Sequence, residues 1–349
     1  MRIYDFDKFS LGKYAYDGCE PKSCVGDGRY IYIVKEPRPI KSNASQIKEK
    51  RESDFYFNCI SEYFGCHIFA LCGIDTQETY LGYYTCKDGI KRLCVACKDF
   101  TTDEKYLTTS GESAVKLCPM ANYKHDFTRD GDKNKTLISR DDGEAYLDEL
   151  ENIWHKSKYL SNIENKIIIE YYNRFVVDGL IGNPDRHNGN WGFLIPASDE
   201  RHLQEAFGVA PVYDCGASFL SRANQNRLDE VLKNKELLKR RCTDFPKSQV
   251  SKKVGIKDGI EYGSYFNSLE NKNLNEAILR MTPIIKEALP QIYKLIDEME
   301  NKGVITHERA NFYKIFIDGR FKNIIQKPYN ELKNIQEGSK KKQTGNEMD

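Results

Sequence analysis

The chain has no run of 18 consecutive apolar residues, so none of its 349 residues is expected to form a transmembrane helix. Its first segment, Met1 to Lys13, carries charges throughout and lacks the apolar stretch of a secretory leader. A cytoplasmic setting is therefore the expectation. An excess of one charge is also missing, because 53 basic side chains against 52 acidic ones leave a net charge of +1. That balance gives no electrostatic case for nucleic acid or an anionic membrane as the main partner. The eleven cysteines are an odd number scattered through core-like segments. In a chain this long they are expected to pack as free, small hydrophobes rather than as a disulfide framework. Cys94-Val-Ala-Cys97 has the spacing of a redox or zinc pair. It falls in an expected strand, however, and no second pair stands at zinc-site distance, so core packing is expected there too. The six histidines show no metal-ligand pattern, and the 22 tyrosines form no stacking stripe of the kind single-stranded nucleic acid needs.

What is present suits a globular chain of two lobes. Apolar residues make up 40% and aromatics 12%, enough to bury a sizeable core. Gly26-Asp27-Gly28 is a turn signal, and Arg29 to Lys35 after it is a β-branched and aromatic run that predicts a strand, ended by Pro37 and Pro39. Residues 40 to 52 are polar and predict a connection. Phe57, Ile60, Phe64, Ile68 and Leu71 recur at helical spacing between Asp54 and Cys72. Glu78 to Cys86 and Lys91 to Lys98 predict two strands joined across Lys87-Asp88-Gly89-Ile90, a hairpin signature. After about Phe100 the texture becomes mostly helical, broken by a polar loop from Thr128 to Asp142. Ile167 to Ile181 marks an amphipathic helix, Trp191 to Ile195 and Val209 to Tyr213 predict two short strands, and Leu289, Ile292, Ile296 and Met299 share one face of a late helix. From Gly338, with Lys340-Lys341-Lys342, a disordered tail is expected. The expected division is an N-lobe over 1–100, a helical C-lobe over 101–337 and a tail over 338–349.

The densest motif is Gly182-Asn-Pro-Asp185-Arg-His187-Asn-Gly-Asn190-Trp-Gly-Phe-Leu-Ile, with Val212-Tyr-Asp214-Cys-Gly216 beyond it. Protein kinases use a catalytic-loop Asp, an Asn five positions later and an Asp-x-Gly past a short hairpin, and Asp185, Asn190 and Asp214 have that order. The chemistry calls for these residue types. The first Asp takes the proton of an attacking hydroxyl; the Asn offers a neutral oxygen and the second Asp a carboxylate to Mg²⁺, which prefers hard oxygen ligands beside phosphates. Asp, Asn, Gly and Pro together are also ordinary turn chemistry. The joint spacing, after an amphipathic helix and between two strands, favours the catalytic reading. Lys35 ends a strand from which a lysine reaches the α/β-phosphates of ATP, and Glu62 in the next helix is placed to hold it.

No Gly-x-Gly-x-x-Gly loop precedes Lys35, and no Ala-Pro-Glu motif follows Asp214. In place of the glycine loop stands Gly18-Cys-Glu-Pro-Lys22-Ser23, a short loop whose amides and lysine suit a phosphate. With these departures the sequence resembles the HipA-like kinases, and among them the short CtkA-type branch. The resemblance is carried by Tyr32 to Lys35, Ser61-Glu62-Tyr63, Val95 to Thr102, Leu180 to Leu194 and Val209 to Gly216, and it covers roughly residues 15 to 325. It implies a two-lobed, protein-kinase-like α+β fold, with a small antiparallel-sheet N-lobe holding one helix and a mainly helical C-lobe. It also implies Mg²⁺·ATP-dependent serine/threonine phosphorylation, often of the enzyme itself. By the resemblance Asp185 is the base, and Asn190 and Asp214 are the Mg²⁺ ligands. Gly18, Lys22, Ser23 and Lys35 hold phosphate, Glu62 orients Lys35, Lys98 and Phe100 belong to the adenine hinge, and His187 and Tyr213 lie against the nucleotide. HipA-type toxins use an extra N-terminal domain in contacting a DNA-binding antitoxin; with the loop near residue 18 that domain is not expected here, and antitoxin pairing is in doubt. Some relatives phosphorylate a serine three residues before the loop glycine; here that position is Ala15. A protein substrate is the expected partner. A phosphoinositide-type lipid kinase, which shares the Asp-Arg-His-x-x-Asn motif and an Asp-x-Gly, and a non-catalytic ATP-binding module are the alternatives. The lysines and arginines of Lys233 to Arg241, set among Glu230 and Glu236, read equally well as a basic activation segment or an exposed helix face. The intact Lys35, Asp185, Asn190 and Asp214 speak against the non-catalytic module.

Overall fold

The computed structural model describes residues 1–12, 22–40, 55–109, 112–128, 144–197, 204–254 and 258–345. The expected connection over 40 to 52, the polar loop after Thr128 and the phosphate-loop residues Gly18 to Pro21 lie wholly or almost wholly outside them.

The N-terminal part is a six-stranded sheet of β1 (Ile3–Asp5), β2 (Ser10–Leu11), β3 (Lys22–Gly26), β4 (Ile31–Lys35), β5 (Thr79–Thr85) and β6 (Lys91–Lys98). The order is β1-β5-β6-β4-β3-β2, antiparallel except that β1 runs parallel to β5 at the edge. Side chains alternate across a strand, and β4 shows the consequence. Tyr32 and Val34 pack with Val25, Cys94, Ala96 and Phe6 on one face. Ile33 packs on the other, with Leu81, Val95 and Cys97. Cys94 and Cys97 therefore belong to opposite faces of the sheet and cannot share an ion.

On the Ile33 face lies α1 (Asn58–Leu71). Its apolar positions were legible, but its burial is not confined to one stripe: even Asn58, Ser61 and Glu62 are buried. The reason is position, since α1 packs against β5 and β6 on one side and against two helices of the second lobe, α4 (Glu164–Ile181) and α8 (Lys272–Asn301), on the other.

The second lobe comprises α2 (Met120–Thr128), α3 (Leu147–Lys156), α4 (Glu164–Ile181), α5 (Gln225–Lys233), α6 (Lys235–Arg241), α7 (Tyr262–Ser268), α8 (Lys272–Asn301), α9 (His307–Arg320) and α10 (Lys327–Gly345). Asn271 and Thr306 cap α8 and α9, their side-chain oxygens accepting from Leu274 and Arg309 amides. Three findings differ from expectation. A strand β7 (Val115–Pro119) pairs with β8 (Gly192–Pro196), which pairs with β9 (Gly208–Val209). The five residues of β7 were too short a run, ended by proline, to announce themselves. The expected strand Val209 to Tyr213 keeps only its first residue in that ladder. Val212 instead crosses to the first lobe, its amide donating to Asp75 O and its carbonyl accepting from Gln77 N. Finally, α10 is helical through Gly345, past the Gly338 at which a tail was expected to begin; Lys340 to Gln343 within this stretch are good helix formers.

Candidate active site

Each chemical group is delivered by an element that the local sequence dictates. Strand β4 ends on Lys35, on the face turned toward α1, and the second turn of α1 supplies Glu62. The Lys35 ammonium lies 3.0 Å from Glu62 Oε1 and 3.3 Å from Asp214 Oδ1. The same Glu62 oxygen accepts the Asp214 amide at 3.1 Å, so one carboxylate aligns both partners. Glu62 Oε2 is buried without a hydrogen-bond partner. A Cβ at Gly216 would stand 3.2 Å from it, so glycine there lets the Asp-x-Gly turn close on α1.

The other half of the site follows α4. That helix stops because Gly182 takes the left-handed conformation, φ 61°, and donates its amide to Asp178 O. A Cβ at Gly182 would stand 2.6 Å from Phe316 Cζ. Gly182→Ala is therefore expected to cost at least ~1–2 kcal/mol from backbone strain alone, read as a lowered midpoint in urea. After this cap, Asn183 Oδ1 accepts the Asp185 amide at 3.0 Å. Asn190 donates its side-chain amide to Asp185 O at 2.7 Å, which turns its oxygen away from that contact. The loop amide of Gly189 donates to His187 Nδ1 at 3.0 Å, and Tyr213 Oη donates to Gly189 O at 3.1 Å.

Beneath the loop lies a buried network. Asp178, fully buried, accepts Arg186 Nε at 3.0 Å and Nη2 at 3.2 Å, together with Asn183 Nδ2 at 2.8 Å. Arg186 Nη1 donates to Asn190 O at 2.8 Å and Tyr213 O at 2.5 Å. One guanidinium thus ties the end of α4 to the Asn190 turn and to the segment leading to Asp214. Sequence reasoning gave Asp178, Asn183 and Arg186 no role. A lone acid on the buried stretch of a helix otherwise filled by Val, Leu and Ile was the available signal.

The electrostatics of the two acids diverge. Burial pushes the Asp185 carboxyl above the ordinary aspartate value; His187 pulls it down, Asp214 pushes it further up, and Arg222 and Arg186 pull it down, with a net rise. Burial also pushes Asp214 up, but Lys35 and Arg186 outweigh it and hold that carboxyl below the usual range. Asp214 lies deep, yet about a third of its side chain (34%) opens to the cleft. Its φ is 59°, a left-handed conformation that aspartate tolerates better than branched residues do.

Not every expected residue is brought to this centre. Lys22 and Ser23 lie in β3 rather than in a loop, paired with Lys35 and Val34. Lys22 therefore shares the face of Lys35, whereas the Ser23 side chain belongs to the opposite face with Val34. Gly18 is outside the described residues. Lys98 is engaged away from the cleft: its ammonium pairs with Asp103 at 2.6 Å and Glu78 at 3.1 Å, and its amide donates to Glu78 O. Phe100 sits in a small apolar cluster with Val115, Leu194 and Ala210, beside Tyr213. Among the described residues no group of His, Cys, Asp and Glu forms a metal cluster of its own.

The chain is 30% identical over 302 residues to the serine/threonine-protein kinase CtkA of Helicobacter pylori, covering 84% of this chain and 77% of that one. The crystal structure of a Helicobacter pylori proinflammatory kinase CtkA superposes with a TM-score of 0.76 at 25% identity, covering 96% of this chain and 99% of that one. HipA of Shewanella oneidensis, in its complex with HipB and operator DNA, gives a TM-score of 0.47 at 11% identity over 94% of this chain and 70% of that one. No family model matches. The likeness to CtkA extends over most of the chain in both sequence and fold, and the chain belongs to the CtkA-type serine/threonine protein kinases.

Proposed function

We propose that this kinase moves the γ-phosphoryl group of ATP to a protein hydroxyl, its own included, with Asp185 as the base. The acceptor hydroxyl gives its proton to the Asp185 carboxylate while its oxygen bonds to the γ-phosphorus, and ADP departs with the electrons of the broken bond. The observation that carries this reading is the division of charge across the cleft. The Lys35 ammonium lies between Glu62 and Asp214. Asp185, outside that pair, keeps a raised carboxyl. Lys35 would lie against the α/β-phosphates, and Phe100, Leu194 and Tyr213 offer an apolar bed for the base.

The donor set suits a hard divalent cation, since Asp214 offers a carboxylate and Asn190 an amide oxygen whose nitrogen is already spent on Asp185 O. These two residues would hold Mg²⁺, which when bound offsets charge on the phosphate oxygens. Asp214→Ala is accordingly expected to abolish Mg²⁺-dependent ATP binding in calorimetry; unchanged affinity would remove Asp214 from the metal site. The reaction itself is tested with γ-labelled ATP and Mg²⁺, wild type beside Asp185→Ala. Both are offered themselves, a mixed protein extract and phosphoinositide vesicles. Label on protein from the wild type alone supports the reading, and label on lipid overturns it.

A further inference from the structure

Residues 217 to 247 lead away from Asp214 and back to the catalytic loop, where the Gln249 amide donates to Pro184 O at 2.8 Å, next to Asp185. Kinases commonly bring the stretch after the Asp-x-Gly to order by phosphorylating it, the new phosphate pairing with arginine. This stretch is poorly supplied for that device. It has no tyrosine, and its hydroxyls are Ser218, Ser221 and Thr243. Ser218 and Ser221 are buried, and Ser218 Oγ makes no hydrogen bond among the described residues. Thr243 is half-buried, and its hydroxyl donates to Lys239 O at 3.2 Å.

The stretch is nonetheless fastened along the length of α9. In the first turn of that helix Arg309 Nη2 donates to Ala223 O at 2.9 Å. The same guanidinium lies 3.4 Å over the ring of Phe57, whose amide donates to Ser221 O. Midway, Phe219 packs on Tyr313 and Phe316, with ring centroids 5.3 and 6.1 Å away. Further on, Cys242 lies so close to Gly319 that a Cβ there would stand 2.5 Å from the cysteine Cβ. At the last residue of α9, Arg320 Nη1 donates to Arg241 O at 2.8 Å and to Phe245 O at 3.0 Å, while its Nε donates to Gly179 O at 2.5 Å. Arg309 thus ties the outgoing limb to the start of α1, the helix of Glu62. Arg320 ties the returning limb to the last turn of α4, from which the Asp185 loop springs.

Both arginines are fully buried, and neither forms an ion pair among the described residues. Arg309 Nε and Nη1 and Arg320 Nη2 have no hydrogen-bond partner there either. Burial pushes the Arg320 guanidinium down to about 10. A lone buried cation is costly, and a methionine would fill much of the same space without that cost. What only the guanidiniums supply is the donors that reach the carbonyls of Ala223, Gly179, Arg241 and Phe245, joining the segment to the elements of the site.

We propose that Arg309 and Arg320 are positioning residues for transfer to a protein acceptor, holding the segment permanently in its working arrangement with no phosphate on it. This role rests on the protein-acceptor reading above and adds the regulation of that site: activity does not wait on phosphorylation of residues 217 to 247.

The test uses the full-length chain and γ-labelled ATP with Mg²⁺. It compares label moved to a heat-treated protein extract with label released to water when no acceptor is present. The ratio of the two is independent of how much enzyme is folded, so it separates positioning from stability. Arg309→Met and Arg320→Met each keep most of the bulk and remove the donors. Each should lower the protein-to-water ratio about tenfold or more, since small displacements near the chemistry are that costly. A smaller fall in either variant overturns the proposal. The variant Ser218→Ala/Ser221→Ala/Thr243→Val keeps the test decisive even if the arginine variants do not fold. It cannot carry phosphate on the segment, and it should transfer at the wild-type ratio from the first time point. A lag or a lowered ratio shows that the segment needs its phosphate and overturns the proposal. These outcomes leave the protein-kinase reading intact. A wild type that labels phosphoinositide vesicles but no protein removes that reading, and the proposal with it.

Discussion

Asp185→Asn is expected to transfer phosphate at least ~10²-fold more slowly than the wild type while binding nucleotide nearly as well. The isosteric amide can still be placed by the Asn183 Asx turn, because that contact is made through the residue 185 backbone amide and not its side chain. The Asn190 contact is likewise to a backbone carbonyl. What the variant loses is the capacity to accept a proton. The pH dependence carries the sign of that role. Burial, with Asp214 adding to it, raises the Asp185 carboxyl above the ordinary aspartate value. The basic form is therefore lost as pH falls through that raised value, and the acid limb of kcat/KM should lie at higher pH than an exposed aspartate would give. The limb should vanish in Asp185→Asn. Single-turnover transfer from γ-labelled ATP across pH checks both outcomes, and a variant within threefold of wild type would show that Asp185 is no base.

The parts of this site that were legible in the sequence are those that chemistry restricts to one residue type at one spacing. Asp185, Asn190 and Asp214 are separated by short stretches of chain, and the strand ending at Lys35 has a period-2 pattern that β4 reproduces in its burial. Glu62 was legible only by order along the chain, and the fold brings it to Lys35 across 27 positions. What escaped was set by pairing partners far away. That Ser23 turns from the cleft depends on its register with Val34. That Lys98 is consumed depends on Asp103 and Glu78 lying beside it. β7 exists because β8 needs a neighbour: Gly192 approaches Cys118 O so closely that a Cβ would stand 2.2 Å from it. Periodicity within a segment reports the solvent, not the partner.

The buried support under the loop yields the second large effect. Asp178→Ala should leave Arg186 with an uncompensated charge in a site 4% exposed, and should cost about 3–5 kcal/mol of stability. Arg186→Met strands the Asp178 carboxylate, itself fully buried, and should cost a comparable amount. The informative variant removes both. With Asp178→Leu and Arg186→Met together, no charge is left unpaired, and most of the lost stability should return in urea denaturation, since the two positions are coupled. Activity should not return with it. Arg186 also holds Asn190 O and Tyr213 O, contacts a methionine cannot make, so the turn bearing Asn190 and the segment before Asp214 lose their common brace. A double variant as stable as its parent yet impaired in phosphate transfer identifies Arg186 as a positioning residue. Full activity in that variant would instead reduce the pair to a packing feature, with the loop geometry maintained by Asn183, Tyr262 and the Asn190 side chain alone.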